Sequence, residues 1–454
     1  LQFGDADLAA QVAAGQSTPL TVSTLAPYLT ESDFTGITPS PAPSGSADPT
    51  ADPTPGPTGA PAPTPTPTGN TGTGPTLPTL AQLTDIGAGT GSVFWPASGT
   101  ATADVVAALG ALTVDDIASI TLVDSETVTG SETQAAAGAR GTANGAQVLV
   151  YDADASRALA TAAATDMPLT RAEALAEASA YAALAVAADP SAPLLVALDR
   201  PSEVTGAGAR AAVVAGTHLA GRAATDLATL TAAPAATLSI AGGEVPTDRA
   251  ADLTALLAGE DELTDFATIL ADPALITARE RASILQLLGN GWRAQPAQAA
   301  AALEAHRTQT QETLEAVAVV PPSDITLAAT SAPLTFSVRN DLPWPVSLRL
   351  IATPNDPRLV VQNTTEVEAR PEQNTRVQVP VEARVGSGES TLSLQLRSPA
   401  MVAIGDTVPV HVTVRAEWES VGLIVMATLV GAMIVIGIVR TVRKMRRRKE
   451  DSGG

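Results

Sequence analysis

The spacing of apolar and polar residues divides the chain into regions of different character. Up to about residue 320, short apolar runs of strand length alternate with stretches whose apolar residues recur at helical spacing. The segments "SVFWPASGTATADVVAALGAL" and "AQVLVYDADASRALATAA" both read as a strand followed by a helix. Strands that alternate with helices favour an α/β sheet or barrel. We therefore predict a barrel-like α/β domain that starts in residues 1–38 and continues through residues 79–320, where its last part is helical.

Local signals refine this prediction. "FGDADLAAQVAAG" reads as a strand end that passes into a short helix, and "APLLVALDRP" reads as a buried strand. Two helices are expected to begin with capping boxes, in which a threonine is followed three residues later by a glutamate. These pairs are Thr170 with Glu173 and Thr277 with Glu280.

Residues 39–78 break the pattern. Thirteen of these 40 residues are proline, and threonine, glycine and alanine fill most of the rest. Such a segment has too little apolar surface to form a core, and proline cannot donate to a backbone ladder. We predict a disordered, low-complexity insertion in a loop of the α/β domain. O-linked sugars on its threonines are an alternative to a plain flexible linker.

The period of the pattern changes after Pro321. Segments such as "LTFSVRN", "PVSLRLIA" and "STLSLQLRS" alternate apolar and polar residues, as half-buried strands do, and turn residues separate them. Short strands at this spacing over residues 323–417 predict an antiparallel β-sandwich of the immunoglobulin type.

A single apolar run closes the chain. Residues 421–439 are 19 uncharged residues, and a helix of that length spans roughly 28 Å, close to the thickness of a bilayer core. Basic residues follow in the tail, residues 440–454, and basic residues stay on the cytoplasmic side. We predict one transmembrane helix with the N-terminal region outside the cell membrane and the C-terminus in the cytoplasm. Its predicted membrane-interface residues are Trp418, Arg440, Arg443, Lys444, Arg446, Arg447 and Arg448.

The net charge and composition of the chain limit the classes of partner that it is expected to bind. The 454-residue chain has a net charge of −21, and the seven basic and two acidic residues of 440–451 contribute +5 of it, so the rest carries −26. Nucleic acid is therefore excluded as an expected partner, and anionic lipid explains the basic tail. The chain has no cysteine, which fits a bacterial exported protein that is held together by core packing. The predicted topology requires an export signal, so we expect that the N-terminus has been processed or truncated.

Acidic residues follow several of the predicted strands, where parallel α/β sheets bind ligands. Trp95 follows another strand and could stack on a sugar ring. Two carboxylates in one cleft can hydrolyse a glycosidic bond, so these residues are candidates for a carbohydrate-active site. The competing interpretation is structural, because aspartate is common at helix N-caps. The candidate catalytic residues are Asp5, Asp7, Asp124, Asp152 and Asp199.

Other chemistries find less support. The three histidines, His218, His306 and His411, are far apart in sequence and form no His-x-x-x-His pair, so no metal site is predicted. The glycine-rich run at residues 87–91 lacks the lysine of a phosphate-binding loop. No cofactor is predicted.

Several segments resemble an uncharacterised family of actinobacterial single-pass envelope membrane proteins. They are "SVRNDLPWPVSLRL", "VTVRAEWESVGLIVMATLV" and "GIVRTVRKMRRR" near the C-terminus, with "FGDADLAA", "FWPASGTATADVVAAL" and "LLVALDR" in the preceding barrel-like region. The resemblance implies a secreted multi-domain ectodomain, often encoded near the lipid II flippase, and a role in envelope assembly. It transfers no catalytic residue.

We therefore favour a membrane-anchored, extracytoplasmic protein that is a non-catalytic scaffold or binding ectodomain in cell-envelope assembly. Its expected partners are the lipid bilayer and envelope proteins or cell-wall polymer. The alternative is a carbohydrate-active, glycoside hydrolase-like enzyme that uses the carboxylates at the strand ends.

Overall fold

The computed structural model describes residues 2–30, 77–85, 92–114, 116–130, 139–200, 206–384, 387–415 and 418–450. The chain is a mixed α/β, multi-domain protein with curled β-sheets and one apolar helix at its C-terminus. It forms two compact units. Unit 1 comprises Leu1–Leu253 and Ala278–Ala294, and unit 2 comprises Thr254–Thr277 and Gln295–Gly454. The proline-rich insertion predicted for residues 39–78 lies outside the described residues except for its last two.

Unit 1 combines short helices with a mixed sheet. In chain order its elements are α1 (Leu8–Ala13), α2 (Leu80–Thr84), β1 (Val93–Phe94), α3 (Ala103–Gly110), β2 (Thr113–Val114), β3 (Ile117–Ala118), β4 (Ile120–Asp124), β5 (Val128–Gly130), β6 (Arg140–Ala143), β7 (Ala146–Tyr151), α4 (Ala153–Ala163), α5 (Pro168–Ala188), α6 (Gly206–Gly216), α7 (Leu227–Ala232) and β8 (Ala236–Ile240). The long helices α8 (Thr247–Ala267) and α9 (Ala274–Leu287) each contribute residues to both units.

The sheet of unit 1 has the strand order β1-β4-β7-β6-β8-β5. Strands β1, β4 and β7 are parallel to one another, as the alternation of strands and helices predicted. Beyond β7 the sheet is mixed. Strand β6 precedes β7 in a hairpin and is antiparallel to it, β8 is parallel to β6, and β5 is antiparallel to β8. The parallel half therefore supplies three neighbouring strand ends, which lie at one edge of the sheet.

Apolar residues on alternate strand positions form the core of unit 1. Val123 of β4 and Val148 of β7 are almost completely buried and pack with Val106 of α3. A second cluster joins α1 to α3 through Leu8 and Leu109. Helices α4 and α5 pack through small buried residues spaced four apart, namely Ala158 and Ala162 on α4 and Ala174, Ala178 and Ala182 on α5.

Four local predictions in this region are wrong. Phe3–Asp5 forms a 3-10 turn in place of a strand end, and only Ala6 makes a bridge, to Gly289. The run "LLVALDR" has no regular secondary structure and is not part of a sheet ladder. Helix α5 begins at Pro168, a residue favoured at the first helical position, so Thr170 lies inside the helix. Thr277 likewise lies inside α9, where its hydroxyl donates to the carbonyl of Pro273.

The described residues of unit 2 form nine strands. After α10 (Pro296–Glu315) come β9 (Val317–Val320), β10 (Ile325–Leu327), β11 (Ser331–Asn340), β12 (Val346–Pro354), β13 (Leu359–Val361), β14 (Thr364–Ala369), β15 (Gln373–Ala383), β16 (Ser387–Arg397), β17 (Ala403–Arg415) and the helix α11 (Trp418–Glu450). One sheet has the order β10-β17-β16-β12-β14 and the other has the order β13-β15-β11-β9. The strands predicted from the alternating segments are present.

Both sheets of unit 2 contribute to one hydrophobic cluster. Along β12 the buried residues are Val346, Leu348, Leu350 and Ala352, so every second side chain faces the core. Phe336 of β11 and residues of α8 such as Phe266 belong to the same cluster. The predicted turn after β11 is built around Asn340, which is completely buried and whose Nδ2 donates to the carbonyls of Trp344, Ala369 and Arg370.

Helix α11 is 33 residues long. Its segment Ile424–Arg443 is long enough and apolar enough to cross a membrane, and the side chains of this segment are exposed. This segment overlaps the predicted span, residues 421–439.

Candidate functional site

The ends of the parallel strands in unit 1 bring aromatic and charged side chains together. Trp95 follows β1, Asp124 ends β4 and Tyr151 ends β7. The rings of Trp95 and Tyr151 make an edge-to-face contact, with ring centroids 6.0 Å apart at an interplanar angle of 71°. The parallel strands therefore assemble a site from residues that are distant in sequence, at the edge where α/β sheets bind ligands.

Arg200 is the charged centre of this site. Its guanidinium lies 4.9 Å from the centroid of the Trp95 ring, and its Nη2 donates to the Trp95 carbonyl at 2.7 Å. Its Nε donates to the carboxylate of Asp5, and its Nη1 is 3.3 Å from Oδ1 of Asp199. Two of the candidate acids thus share one arginine. The cation over the aromatic ring fixes the orientation of Trp95.

Asp124 is buried and holds two loops. Its Oδ1 accepts the backbone N–H of Thr127 at 2.9 Å, and its Oδ2 accepts that of Gly99 at 3.2 Å. Gly99 has a φ of 74°, a conformation that glycine adopts without strain. The carboxylate therefore ties the loop after β1 to the end of β4.

Tyr151 is buried next to these acids. Burial raises the pKa of its phenol above the ordinary value of 10.0, and the nearby charges of Asp199 and Asp124 raise this pKa further. A hydrogen bond with Ser98 acts in the opposite direction. The raised pKa keeps the Tyr151 phenol neutral up to a higher pH than an ordinary tyrosine.

Asp7 lies in a separate cluster. Its carboxylate has no exposed surface, accepts the backbone N–H of Ala10 at 3.0 Å and so caps α1. Its Oδ2 is 2.9 Å from Nε of Arg249 and 3.3 Å from Nη1 of Arg293. Arg249 also donates to the carbonyls of Leu288 and Gly289. This is the arrangement of a structural ion pair.

Asp152 serves as a helix cap. Its Oδ1 accepts the backbone N–H of Ala155 at 2.8 Å at the start of α4, and its own N–H donates to the carbonyl of Leu195. The structure therefore places Asp5, Asp124 and Asp199 around Trp95 and Tyr151, whereas Asp7 and Asp152 hold helix ends.

A cavity of about 320 Å³ lies beside Trp95 in unit 1. Its walls are mainly apolar, with Leu8, Val93, Phe94 and Leu112 among the lining residues. The polar residues of the lining are Gln2, Asp5, Thr18, Thr21 and Thr113. A mostly apolar wall with a few polar groups is typical of small-ligand pockets. In the described part of the chain, the buried indole Nε1 of Trp95 has no hydrogen-bond partner.

The predicted membrane-interface residues lie at the two ends of the C-terminal helix α11. Trp418 is the first residue of α11, and all the predicted basic interface residues, Arg440, Arg443, Lys444, Arg446, Arg447 and Arg448, belong to its last three turns. Among the described residues, no group of three or more histidine, aspartate or glutamate side chains is arranged to hold a metal ion.

Sequence reasoning did not assign roles to Tyr151, Arg249 or Arg293. The sequence does indicate a position at the strand ends for Tyr151, because Tyr151 directly precedes the candidate residue Asp152. No such indication exists for Arg249 and Arg293, since their contact with Asp7 joins residues 242 and 286 positions apart.

The fold is that of a mixed α/β, multi-domain chain with a site at its strand ends and one apolar C-terminal helix. The chain belongs to DUF6049, a family of unknown function, whose match covers residues 1–450. A comparison with curated proteins found no match.

Solved structures resemble only part of the chain. The native conformation of the E. coli alpha-2-macroglobulin is 20% identical, with a TM-score of 0.19 over 22% of this chain and 7% of that one. SSP-19 of Caenorhabditis elegans, an MSP-domain protein like family member, is 15% identical, with a TM-score of 0.17 over 21% of this chain and 95% of that one. The E. coli chaperone DraB is 14% identical, with a TM-score of 0.17 over 22% and 54%. Likenesses of this size carry no argument about function.

Proposed function

We propose that this protein is anchored in a membrane by α11, with its N-terminal region outside and its basic tail in the cytoplasm. One observation carries the proposal: the exposed apolar segment Ile424–Arg443 is followed by a dense basic cluster. A 20-residue helix spans roughly 30 Å, the thickness of the hydrocarbon core. Basic residues next to a span remain on the cytoplasmic side, where anionic lipids attract them.

We further propose that the region outside the membrane is a scaffold or binding module of cell-envelope assembly and not an enzyme. The contacts of the acids support this proposal. Asp7 and Asp152 cap helices, and each carboxylate oxygen of Asp124 accepts a backbone N–H that holds a loop. Asp5 and Asp199 are paired with Arg200. A general acid for glycoside hydrolysis requires a carboxyl that is free to hold and release a proton.

The two sheets of unit 2 fit a spacer role in this proposal. The nine strands of its described residues and their common apolar cluster are compatible with an immunoglobulin-like sandwich, the class expected from the alternating sequence pattern. Such a module adjoining the membrane helix would be a stalk for the region that precedes it.

A carbohydrate-active enzyme is the second candidate. The observation in its favour is that the charges of Asp124 and Asp199 both raise the pKa of Tyr151. The ring of Tyr151 contacts that of Trp95, which lines a cavity. Carboxylates near an aromatic platform are the components of a sugar site. Under our proposal the same residues bind envelope polymer or protein without cleaving it.

Cysteine labelling tests the topology. Because these 454 residues contain no cysteine, Ser331→Cys and Ser452→Cys each introduce a single thiol. In intact cells, a membrane-impermeant maleimide should label the Ser331→Cys variant, and it should label Ser452→Cys only after permeabilisation. The unchanged chain is the control and should not react. Labelling of Ser452→Cys in intact cells would refute the proposed orientation.

Product analysis tests the absence of catalysis. The purified chain in detergent micelles is incubated with peptidoglycan and arabinogalactan fragments, and products are followed by mass spectrometry. We expect bound but uncleaved polymer. Turnover that is lost in Asp124→Asn and Asp199→Asn, and retained in the surface variant Asp154→Asn, would establish the enzyme instead.

A further inference from the structure

Two arginines lie opposite each other on the outer surface of unit 2. Arg349 of β12 and Arg397 of β16 are direct partners in the antiparallel ladder. Their strand neighbours Leu348, Leu350 and Leu396 are buried in the hydrophobic cluster, so the two arginines lie on the outer face of the sheet. Directly opposed residues have Cβ atoms about 4.5–5.5 Å apart, and like charges at this spacing destabilise a sheet. Pairing of the strands alone therefore does not favour these two residues.

The guanidinium groups converge on the loop that joins β16 to β17. Nη1 of Arg397 donates to the carbonyl of Met401 at 2.7 Å. Nη1 of Arg349 lies 3.7 Å from Sδ of Met401 and 3.4 Å from the carbonyl oxygen of Pro399. Both cations thus contact the same residue, and the loop sets their positions.

Internal hydrogen bonds hold this loop in place. Ser398 is completely buried, and its N–H donates to the carbonyl of Val402 at 2.8 Å. The N–H of Met401 donates to the carbonyl of Ser398 at 2.9 Å, and Oγ of Ser398 accepts the N–H of Val402 at 3.3 Å. A loop with these bonds presents the two guanidinium groups in a defined arrangement, which lowers the entropy cost of binding a ligand.

Acidic side chains neutralise only part of this pair. Nη2 of Arg349 is 3.8 Å from Oε1 of Glu366, whose side chain is 83% exposed. In the part of the chain that the structure describes, Arg397 forms no ion pair, and both arginines are only partly buried. In a chain with a net charge of −21, this position therefore has a local excess of positive charge that attracts anions.

We propose that Arg349 and Arg397 together bind the phosphate monoester group of a water-soluble ligand. A guanidinium presents its N–H donors in a planar fork that matches the oxygens of a phosphate. A phosphate monoester has about two negative charges at neutral pH and three terminal oxygens, so it can accept from both guanidinium groups at once. A carboxylate or a sulfate monoester has a single negative charge and matches only one of the two cations.

The position of the pair disfavours a lipid phosphate as the ligand. Ala403, the ladder partner of Arg397, begins β17, and Arg415 ends it. The 13 residues of β17 span roughly 40 Å, and the chain continues from Arg415 to the apolar helix α11. The arginines thus lie at the strand end that is remote from this helix. The inference goes beyond the proposed function, because phosphate binding by the purified chain depends neither on its topology nor on the absence of catalysis.

Titration calorimetry on the full chain in detergent micelles tests the proposal. The probe is glucose 6-phosphate at pH 8 and low ionic strength, and the comparison ligand is glucose 6-sulfate, which has a similar size but one charge. We expect the phosphate to bind about tenfold more tightly than the sulfate, because only the phosphate matches both cations. Equal affinities, or no binding of the phosphate, would overturn the proposal.

Single variants separate the pair from general charge attraction. Arg349→Gln and Arg397→Gln should each weaken the binding of glucose 6-phosphate about tenfold and remove its advantage over the sulfate. Arg376→Gln removes the same charge at an exposed position of β15 in the other sheet and should leave both affinities unchanged. Equal losses in Arg376→Gln and Arg397→Gln would show unspecific attraction and overturn the proposal. If Arg397→Gln unfolds, Arg397→Lys takes its place, since lysine keeps the charge but lacks the planar fork and should also lose the preference for phosphate.

A competition experiment distinguishes a water-soluble ligand from a lipid. Short-chain phosphatidic acid, which carries the same phosphate monoester, is added to the micelles, and phosphatidylglycerol, which carries a phosphodiester, is the control. Neither lipid should displace glucose 6-phosphate, because the pair is remote from the helix that the micelle covers. Displacement by phosphatidic acid and not by phosphatidylglycerol would identify a lipid as the ligand and overturn the proposal of a water-soluble one.

Discussion

The carboxylate of Asp7 accepts a hydrogen bond from Nε of Arg249 at 2.9 Å, although the two residues are 242 positions apart. Arg293 approaches the same oxygen at 3.3 Å, and Asp7 itself is completely buried. The backbone N–H of Asp7 donates to the carbonyl of Leu288, so the N-terminal segment is fastened to later helical residues of unit 1 by main-chain and side-chain contacts. A charge in such a position is costly to leave unpaired.

We predict that Asp7→Ala destabilises unit 1 by about 3–5 kcal/mol, because it leaves two arginines without their buried anion and removes the cap of α1. Urea unfolding followed by circular dichroism measures the change. Asp7→Asn is the matched control, since asparagine still caps a helix but has no charge, and its loss should be smaller. Equal losses in the two variants would assign the effect of Asp7 to the ion pair alone.

Asp152 gives a second, smaller stability prediction. Its Oδ1 caps α4 at Ala155 N–H, and an N-cap of this kind contributes about 1 kcal/mol, so Asp152→Ala should lower the unfolding free energy by about that amount. Asp154→Ala on the same helix serves as the control. Its carboxylate makes an exposed contact with Arg157 and should cost less than about 0.5 kcal/mol. A larger effect at Asp154 than at Asp152 would contradict the assignment.

Local patterns predicted the elements that supply the candidate site. The runs before Trp95, Asp124 and Tyr151 are strands because their apolar residues suit a buried parallel sheet. The helices that follow β1 and β7 begin after caps at Thr102 and Asp152. The strand ends then come together because neighbouring parallel strands share an edge. This much follows from periodicity and capping.

The remaining features depend on tertiary contacts. The segment before Asp199 has the composition of a strand but no ladder partner. Nothing in its apolar pattern distinguishes it from the segments that do pair in the sheet. The pairing of Asp5 with Arg200 and of Asp7 with Arg249 joins distant residues, so no spacing rule reveals it.

Tyr151 leads to a prediction about alkaline pH. Burial and the charges of Asp199 and Asp124 raise the pKa of Tyr151 above the unfolded value of about 10. A raised pKa contributes stability below the unfolded pKa, and this contribution is lost as pH rises through the folded pKa. The phenolate absorbance of the folded chain should therefore contain a component that titrates at unusually high pH.

Tyr151→Phe should remove that component and flatten the alkaline fall in stability. Tyr181→Phe is the control among the three tyrosines and should leave the component in place. If the high-pH component persisted in Tyr151→Phe, the phenol would not be held neutral at the strand ends. Spectrophotometric titration and unfolding curves at several alkaline pH values measure the two effects.

The last prediction concerns α11. Leu429 and Ile434 are exposed residues in the middle of its apolar segment, where an arginine costs about 2.5–3.5 kcal/mol on insertion scales. The double variant Leu429→Arg/Ile434→Arg should therefore leave the membrane fraction on alkaline extraction. Thr441→Arg/Val442→Arg adds the same charge at the basic end of the helix, where an arginine can reach lipid head groups, and it should remain in the membrane fraction. Extraction of both variants alike would indicate that this segment does not span the bilayer, since only a spanning helix makes the cost of an arginine depend on its depth.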